Sequence, residues 1–274
     1  MSDRSYQLED LLKVVKILRD PEEGCAWDRV QTFKSLVPST LEECYELAEA
    51  IEQRDYKHVR EELGDILFQV VFYAQMASEA KYFEFADIVS VLVEKLMRRH
   101  PQVFSGGDIE TRERLEKNIE AQTKGNWESI KKLERAERHQ HGIFEDIPIQ
   151  LPALTRAQKL QNRAAGVGFD SQDLSEVFFK IRAEVVELEA ALQKGSVDDC
   201  AEELGDLLFS CVNAARHLEQ DSESLLREVN RKFERRFTSV EKLLVLDGIS
   251  LADATIKQMN TAWHKVKRAE KILT

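Results

Sequence analysis

Acidic residues stand in pairs at helical spacing along this chain. Glu43 and Glu46 are three residues apart, as are Glu62 and Asp65, and the pattern returns as Glu184 with Glu187 and Glu203 with Asp206. Three-residue spacing puts both carboxylates of a pair on one helix face. A short connection between the two helices makes them antiparallel neighbours, so that the pairs can face each other. Four carboxylates converging beside a buried helix repel, and either take up protons or bind a cation. An all-oxygen cage with no Cys or His nearby selects a hard ion, Mg²⁺, with Mn²⁺ as a possible substitute. Mg²⁺ keeps some waters and takes phosphate oxygens as its remaining ligands, which points to a phosphate-bearing substrate. A water activated there, or by a spare carboxylate, could attack phosphorus. The competing reading is a solvated acidic face, the usual fate of such a motif. Two features count against it. The second acidic pair opens an otherwise apolar helix. In both copies a glycine, Gly64 or Gly205, lies between the Glu and the Asp. A glycine inside a helix costs ~1 kcal/mol relative to alanine, so its recurrence predicts close backbone packing or ligand approach.

Basic clusters follow each acidic set: Lys95, Arg98 and Arg99, then Lys232, Arg235 and Arg236. They could hold the phosphate oxygens that a metal does not. For Arg98-Arg99-His100, helix-end stabilisation by the dipole competes, because Pro101 follows. Trp127 and Trp263 could stack on a base or fill the core, and periodicity favours the core. Other phosphate chemistries lack their signals. There is no G-x-x-x-x-G-K-[ST] loop, and Gly106-Gly107-Asp108 reads as an ordinary turn. No G-x-S-x-G or Cys/His pairing suggests covalent catalysis.

The elements that must position these residues come as a repeat. EELGDILFQVVF at 61–72 returns as EELGDLLFSCVN at 202–213, with eight of twelve positions identical at an offset of 141. Trp27-Asp28, the first acidic pair, KLMRRH at 95–100 and Trp127 find counterparts in Phe169-Asp170, Glu184/Glu187, KFERRF at 232–237 and Trp263, in the same order. Two modules follow, 1–140 and 155–274, joined by a linker over 141–154 that carries prolines and a glycine. Apolar periodicity predicts helices near 6–19, 34–54, 57–79, 84–99 and 110–136, then 153–164, 172–194, 197–219, 221–246 and 251–271. Thr40 with Glu43 could form a capping box, which would start the second helix later. Residues 66–77 and 207–215 are apolar nearly all round, which predicts buried central helices in a bundle. A single small module does not readily bury all of this surface, so dimerisation is expected.

Composition agrees with an all-α protein. Of 274 residues, 43% are hydrophobic and 32% charged, and none of the five prolines falls after Pro152. The net charge of −11 disfavours a nucleic-acid polymer as partner. The four cysteines, Cys25, Cys44, Cys200 and Cys211, lack metal or disulfide spacing and read as reduced, mostly buried thiols. The N-terminus MSDRSYQLED has no apolar signal core, and no run approaches the ~20 apolar residues of a membrane span. A soluble cytoplasmic protein is expected.

At LEECYEL with EELGDILFQVVFYAQMA, KLMRRHPQVF, DIPIQLPALTRAQKLQ, VGFD, EELGDLLF, ARHL and NRKFERRF, the sequence resembles the MazG family of nucleoside triphosphate pyrophosphohydrolases in its two-module form. The resemblance covers nearly the whole chain. It implies an all-α NTP pyrophosphatase fold, a homodimer, and Mg²⁺-dependent hydrolysis of NTP or dNTP to the monophosphate and pyrophosphate, in a house-cleaning role. Carried residue by residue, it puts metal ligands at Glu184, Glu187, Glu203 and Asp206, and in the first module at Glu43, Glu46, Glu62 and Asp65. Nucleotide contacts fall on Lys180, Lys232, Arg235, Arg236 and Trp263, and less directly on Lys95, Arg98 and Arg99. The C-terminal module ranks first as catalyst on this resemblance. Two departures stand out. Ala183-Glu184 replaces the family's common Glu-Glu, which the first module keeps as Glu42-Glu43, and Cys25-Ala26-Trp27-Asp28 replaces C-P-W-D. The alternatives are a non-catalytic helical interaction module, and a narrower pyrophosphatase acting on dUTP or a phosphoribosyl nucleotide.

Overall fold

The computed structural model describes residues 5–101, 103–104 and 142–273. Every regular element among the described residues is a helix. The chain divides into two compact units, 1–130 and 131–274. The helix expected over 110–136, with Trp127, lies outside the described residues.

In the first unit, α1 (Leu8–Leu18), a short α2 (Ala26–Arg29), α3 (Val37–Gln53), α4 (Tyr56–Glu79) and α5 (Phe85–Arg99) follow in order. α1, α3 and α5 all pack on α4. The core gathers Val15, Leu36, Val71, Phe72 and Met76, with Leu11, Leu12 and Phe68 against it. Arg19 closes one end of this core. Its guanidinium lies 5.1 Å from the Phe72 ring centre, donates to Glu79 at 2.7 Å and to the Asp28 carbonyl at 2.6 Å, and holds the Glu79 carboxyl below the usual carboxylate range.

The second unit contains α6 (Ala153–Ala165), α7 (Leu174–Lys194), α8 (Val197–His217), α9 (Ser222–Leu246) and α10 (Ile256–Leu273). α8 packs on α7, α6 and α9, and α9 on α10. A core of Val240, Leu244, Ala262 and Val266 lies between α9 and α10.

The connections that matter most are two residues long. α3 ends at Arg54, whose φ of 58° is left-handed, and Asp55 caps α4 by accepting from the Lys57 and His58 amides. α7 ends at Gly195, with φ of 75°, and the Ser196 side chain caps α8 by accepting from the Asp199 amide. A left-handed residue followed by a polar cap turns the chain back on itself in so short a span. Both units therefore form an antiparallel pair, α3–α4 and α7–α8.

Several expectations need correction. Thr40 does not cap α3, which begins at Val37 with Pro38 in its first turn; the Thr40 hydroxyl donates to the Leu36 carbonyl and meets the Tyr73 hydroxyl at 3.0 Å. The last helix starts at Ile256, not 251, because the Thr255 hydroxyl and amide both bind the Gln258 side chain and set its beginning there. The cysteines are free but not buried: Cys25, Cys44 and Cys211 are exposed and Cys200 is half-buried. α4 is a core helix as expected, but α8 buries only Val212 and Ala215, while Leu204, Leu208 and Phe209 stay roughly half exposed. Apolarity all round does not supply the neighbours needed to cover it.

Candidate functional site

The α3–α4 pair brings Glu43, Glu62 and Asp65 together, one carboxylate oxygen of each lying within 4.8 Å of the others. The α7–α8 pair does the same for Glu184, Glu187 and Glu203. Both sets form across the two-residue connections described above, as the paired spacing requires. Glu46 and Asp206 stand outside the closest groups but are near enough to act on them. The Glu43 carboxyl is pushed above its ordinary range by burial first, then by Asp65, Glu46, Glu62 and Glu42. Burial also raises Glu184, helped by Glu187 and Asp206, and Glu203, helped by Glu187, Asp206 and Glu184. Carboxyls raised in company are groups that a cation would relieve.

The two clusters differ. Glu62 is buried, at 5% exposure, and its Oε2 is buried without a hydrogen-bond partner. Its Oε1 is taken by His58 Nε2 at 2.6 Å, one turn earlier on α4. The expectation of a cage with no histidine nearby fails here. The signal was present as His58-x-x-x-Glu62, an i,i+4 pair on the face that carries the acids. In the second unit the same register holds Asp199, which is exposed, and Glu203 is half-buried.

A methyl group placed on Gly64 or Gly205 would meet no neighbouring atom within 4 Å. Among the described residues, the close backbone packing expected at these glycines is therefore absent, and the space beside the acids is open.

Arg235 and Arg236 of the second unit are engaged with other side chains. Arg236 donates to Glu270 at 2.7 Å, and Arg235 reaches the same carboxylate at 3.6 Å. These contacts hold Glu270 below the usual carboxylate range. The Arg236 guanidinium also lies 5.9 Å from the Trp263 ring centre, and the Trp263 and Phe233 rings are 5.5 Å apart. Trp263 thus packs against the core, the role that periodicity favoured, with one side on a cation. Lys232 is exposed. Lys180 donates to the buried Ser171 hydroxyl at 3.0 Å and lies 3.7 Å from Glu176. In the first unit Lys95 and Arg99 are half-buried and Arg98 is exposed, on the last turns of α5. A further network was not foreseen. Arg216 on α8 binds Asp170 and donates to Asn213 at 2.8 Å, and His217 Nε2 lies 3.2 Å from Asp170. It ties the residues before α7 to the end of α8, and Arg216 holds the Asp170 carboxyl low.

The family model of the MazG nucleotide pyrophosphohydrolase domain matches residues 31–104 and again residues 172–240. The chain belongs to the MazG family. Each matched stretch contains one antiparallel pair with its carboxylate cluster. The chain is 45% identical over 266 residues to the nucleoside triphosphate pyrophosphohydrolase of Escherichia coli (strain K12), covering 96% of this chain and 98% of that one. It is 42% identical over 267 residues to the nucleoside triphosphate pyrophosphohydrolase/pyrophosphatase MazG of Thermotoga maritima, covering 97% and 98%. A nucleoside triphosphate pyrophosphohydrolase of Mycolicibacterium smegmatis is 33% identical over 166 residues, 60% of this chain and 48% of its own length. The tandem arrangement expected from the repeat is thus a pair of MazG domains.

Proposed function

We infer that this chain hydrolyses nucleoside triphosphates to the nucleoside monophosphate and pyrophosphate, using divalent cations held by its carboxylate clusters. The observation that carries this is the convergence of three carboxylates from antiparallel helices in each MazG domain. The full-length match to proteins named for the reaction supports it.

The donor set fits a hard cation. It is all oxygen, several members are raised by crowding and burial, and Glu62 keeps a buried oxygen that nothing among the described residues satisfies. A buried acceptor left unpaired is costly, and a ligand is one of the few things that justifies it. Glu184, Glu187, Glu203 and Asp206 would hold Mg²⁺ in the second unit, and Glu43, Glu46, Glu62 and Asp65 in the first. When bound, the cation neutralises phosphate charge and acidifies water.

The chain's own groups do the rest. Glu42 adjoins Glu43 and supplies a spare carboxylate to orient water in the first unit, where the second has Ala183. Lys232, Arg235 and Arg236 offer donors to the polyphosphate, with Arg235 and Arg236 exchanging Glu270 for phosphate oxygens. Trp263 offers a ring edge to the base, and Lys180 a further cation. Lys95, Arg98 and Arg99 are the counterparts in the first unit. The uncovered side chains Leu204, Leu208 and Phe209 support assembly as a homodimer. Among the described residues no helix is long and apolar enough to cross a membrane, in keeping with the cytoplasmic site in which we place the enzyme.

The test is product analysis with Mg²⁺ and each NTP, on wild type, Glu62→Gln and Glu203→Gln. Pyrophosphate in equal amount to monophosphate is expected, with Glu203→Gln losing most turnover. Orthophosphate as sole product would overturn the reaction assignment. Unchanged turnover in both variants would overturn the sites.

A further inference from the structure

We propose that His58 is a positioning residue peculiar to the first unit, fixing Glu62 so that its buried Oε2 is offered to a divalent cation. This deepens the cation reading of that cluster and rests on it.

The argument begins with the register. Asp55 caps α4 and accepts from the His58 amide at 3.2 Å, which fixes His58 in the first turn. One turn on, the imidazole reaches Glu62 Oε1 at 2.6 Å. His58 Nε2 and Glu62 Oε1 are thus in direct contact, a pair that is ionic when the ring is protonated. The Glu62 side chain is 7% exposed and the His58 side chain 47%. A half-exposed ring thus lies directly against a buried acid.

His58 does not belong to the compact group of Glu43, Glu62 and Asp65, so it backs one member of that group from outside. With Oε1 occupied, Oε2 is the oxygen of Glu62 that has no partner, and it is fully buried. A carboxylate held in this way has one oxygen to give and little rotational freedom to lose on giving it. Partners of this kind, outside the ligand shell, orient ligands, and losing one typically weakens metal binding by about 10–100-fold. The second unit has no equivalent, because the matching residue is the exposed Asp199. An acid there cannot take the place of the histidine beside Glu203. Among the described residues, Glu62 thus has such a contact in the first unit and Glu203 has none in the second.

The experiment titrates Mn²⁺ by calorimetry into the full chain carrying Glu184→Gln and Glu203→Gln, which leaves only the first unit's carboxylate cluster intact. Into that background go His58→Ala and His58→Gln. The half-exposed ring leaves no core cavity on truncation, and far-ultraviolet circular dichroism confirms the fold. We expect His58→Ala to weaken Mn²⁺ binding by about 10–100-fold, and His58→Gln, whose amide can still donate, to recover most of it. In the complementary background, with Glu62→Gln, His58→Ala should leave the second unit's affinity unchanged. Equal or tighter binding by His58→Ala overturns the proposal, and so does a His58→Gln variant as weak as the alanine. If the parent with His58 intact binds no Mn²⁺, the cation reading of the first unit fails and the brace falls with it.

Discussion

Replacing Glu203 with Gln should move the stability of the second unit in opposite directions, depending on whether a divalent cation is present. Without one, Glu203 ionises beside Glu187, Asp206 and Glu184 in a partly desolvated setting, and its carboxyl is raised above the ordinary value. The sign follows directly. The folded-state value exceeds the unfolded one, so the folded chain holds the proton more firmly. The resulting stabilisation is complete below the unfolded value and is lost as pH rises through the folded one. Once the group is ionised the repulsion is present, and a neutral side chain of the same shape removes it. Glu203→Gln should therefore melt higher than wild type in chelator at pH 7.5, and that gain should shrink as pH falls and the wild-type group takes up its proton. With Mg²⁺ at a hundred times its dissociation constant, binding to the native state adds about 2.7 kcal/mol. At roughly 2–4 °C per kcal/mol for a domain of this size, the wild-type unit should melt about 5–11 °C higher. The variant lacks one ligand and should lose most of that shift. Differential scanning calorimetry of both proteins, in chelator and in Mg²⁺, decides the matter. A variant that melts lower than wild type without cation, or keeps the full Mg²⁺ shift, refutes the account of crowded carboxylates relieved by a metal.

Arg216→Ala should cost about 1.5–3 kcal/mol in urea unfolding, because it removes charge-assisted bonds to Asp170. Asp170 is held low mainly by Arg216, so this contribution is present above the unfolded carboxyl value and lost as pH falls; the variant's deficit should shrink toward pH 3. Gly64→Ala and Gly205→Ala should each raise thermal stability by about 0.5–1 kcal/mol, since alanine is the better helix former and the added methyl has room. A fall in kcat/KM alongside that gain would show that the nucleotide approaches the backbone there.

The helices were legible because most are amphipathic, with apolar residues at three- and four-residue steps and prolines at the edges. The carboxylate clusters were legible for a related reason. A pair three apart on each of two neighbouring helices needs only a short antiparallel turn, and Arg54-Asp55 and Gly195-Ser196 supply it. What escaped is what depends on contacts distant in sequence or on missing neighbours. Arg19 meets Glu79 sixty residues away, and Glu270 meets Arg236 across thirty-four; neither pair has a local signature. α8 read as buried because residues 207–215 are apolar nearly all round, yet periodicity cannot say whether another surface covers them. The recurring glycine suggested close packing or ligand approach, and the structure leaves open space there, which removes only the first. His58 could have been found from its spacing to Glu62, but reading the acidic motif from Glu62 onward left out the turn before it.

The most direct measurement counts Mn²⁺ bound at saturation by the intact chain, followed by loss of the free-ion electron paramagnetic resonance signal. It compares wild type with Glu62→Gln, Glu203→Gln and the combination. Binding that each single substitution cuts in part and the pair abolishes is the predicted result. A doubly substituted chain that binds as much Mn²⁺ as wild type would contradict the claim that these carboxylates hold the cation.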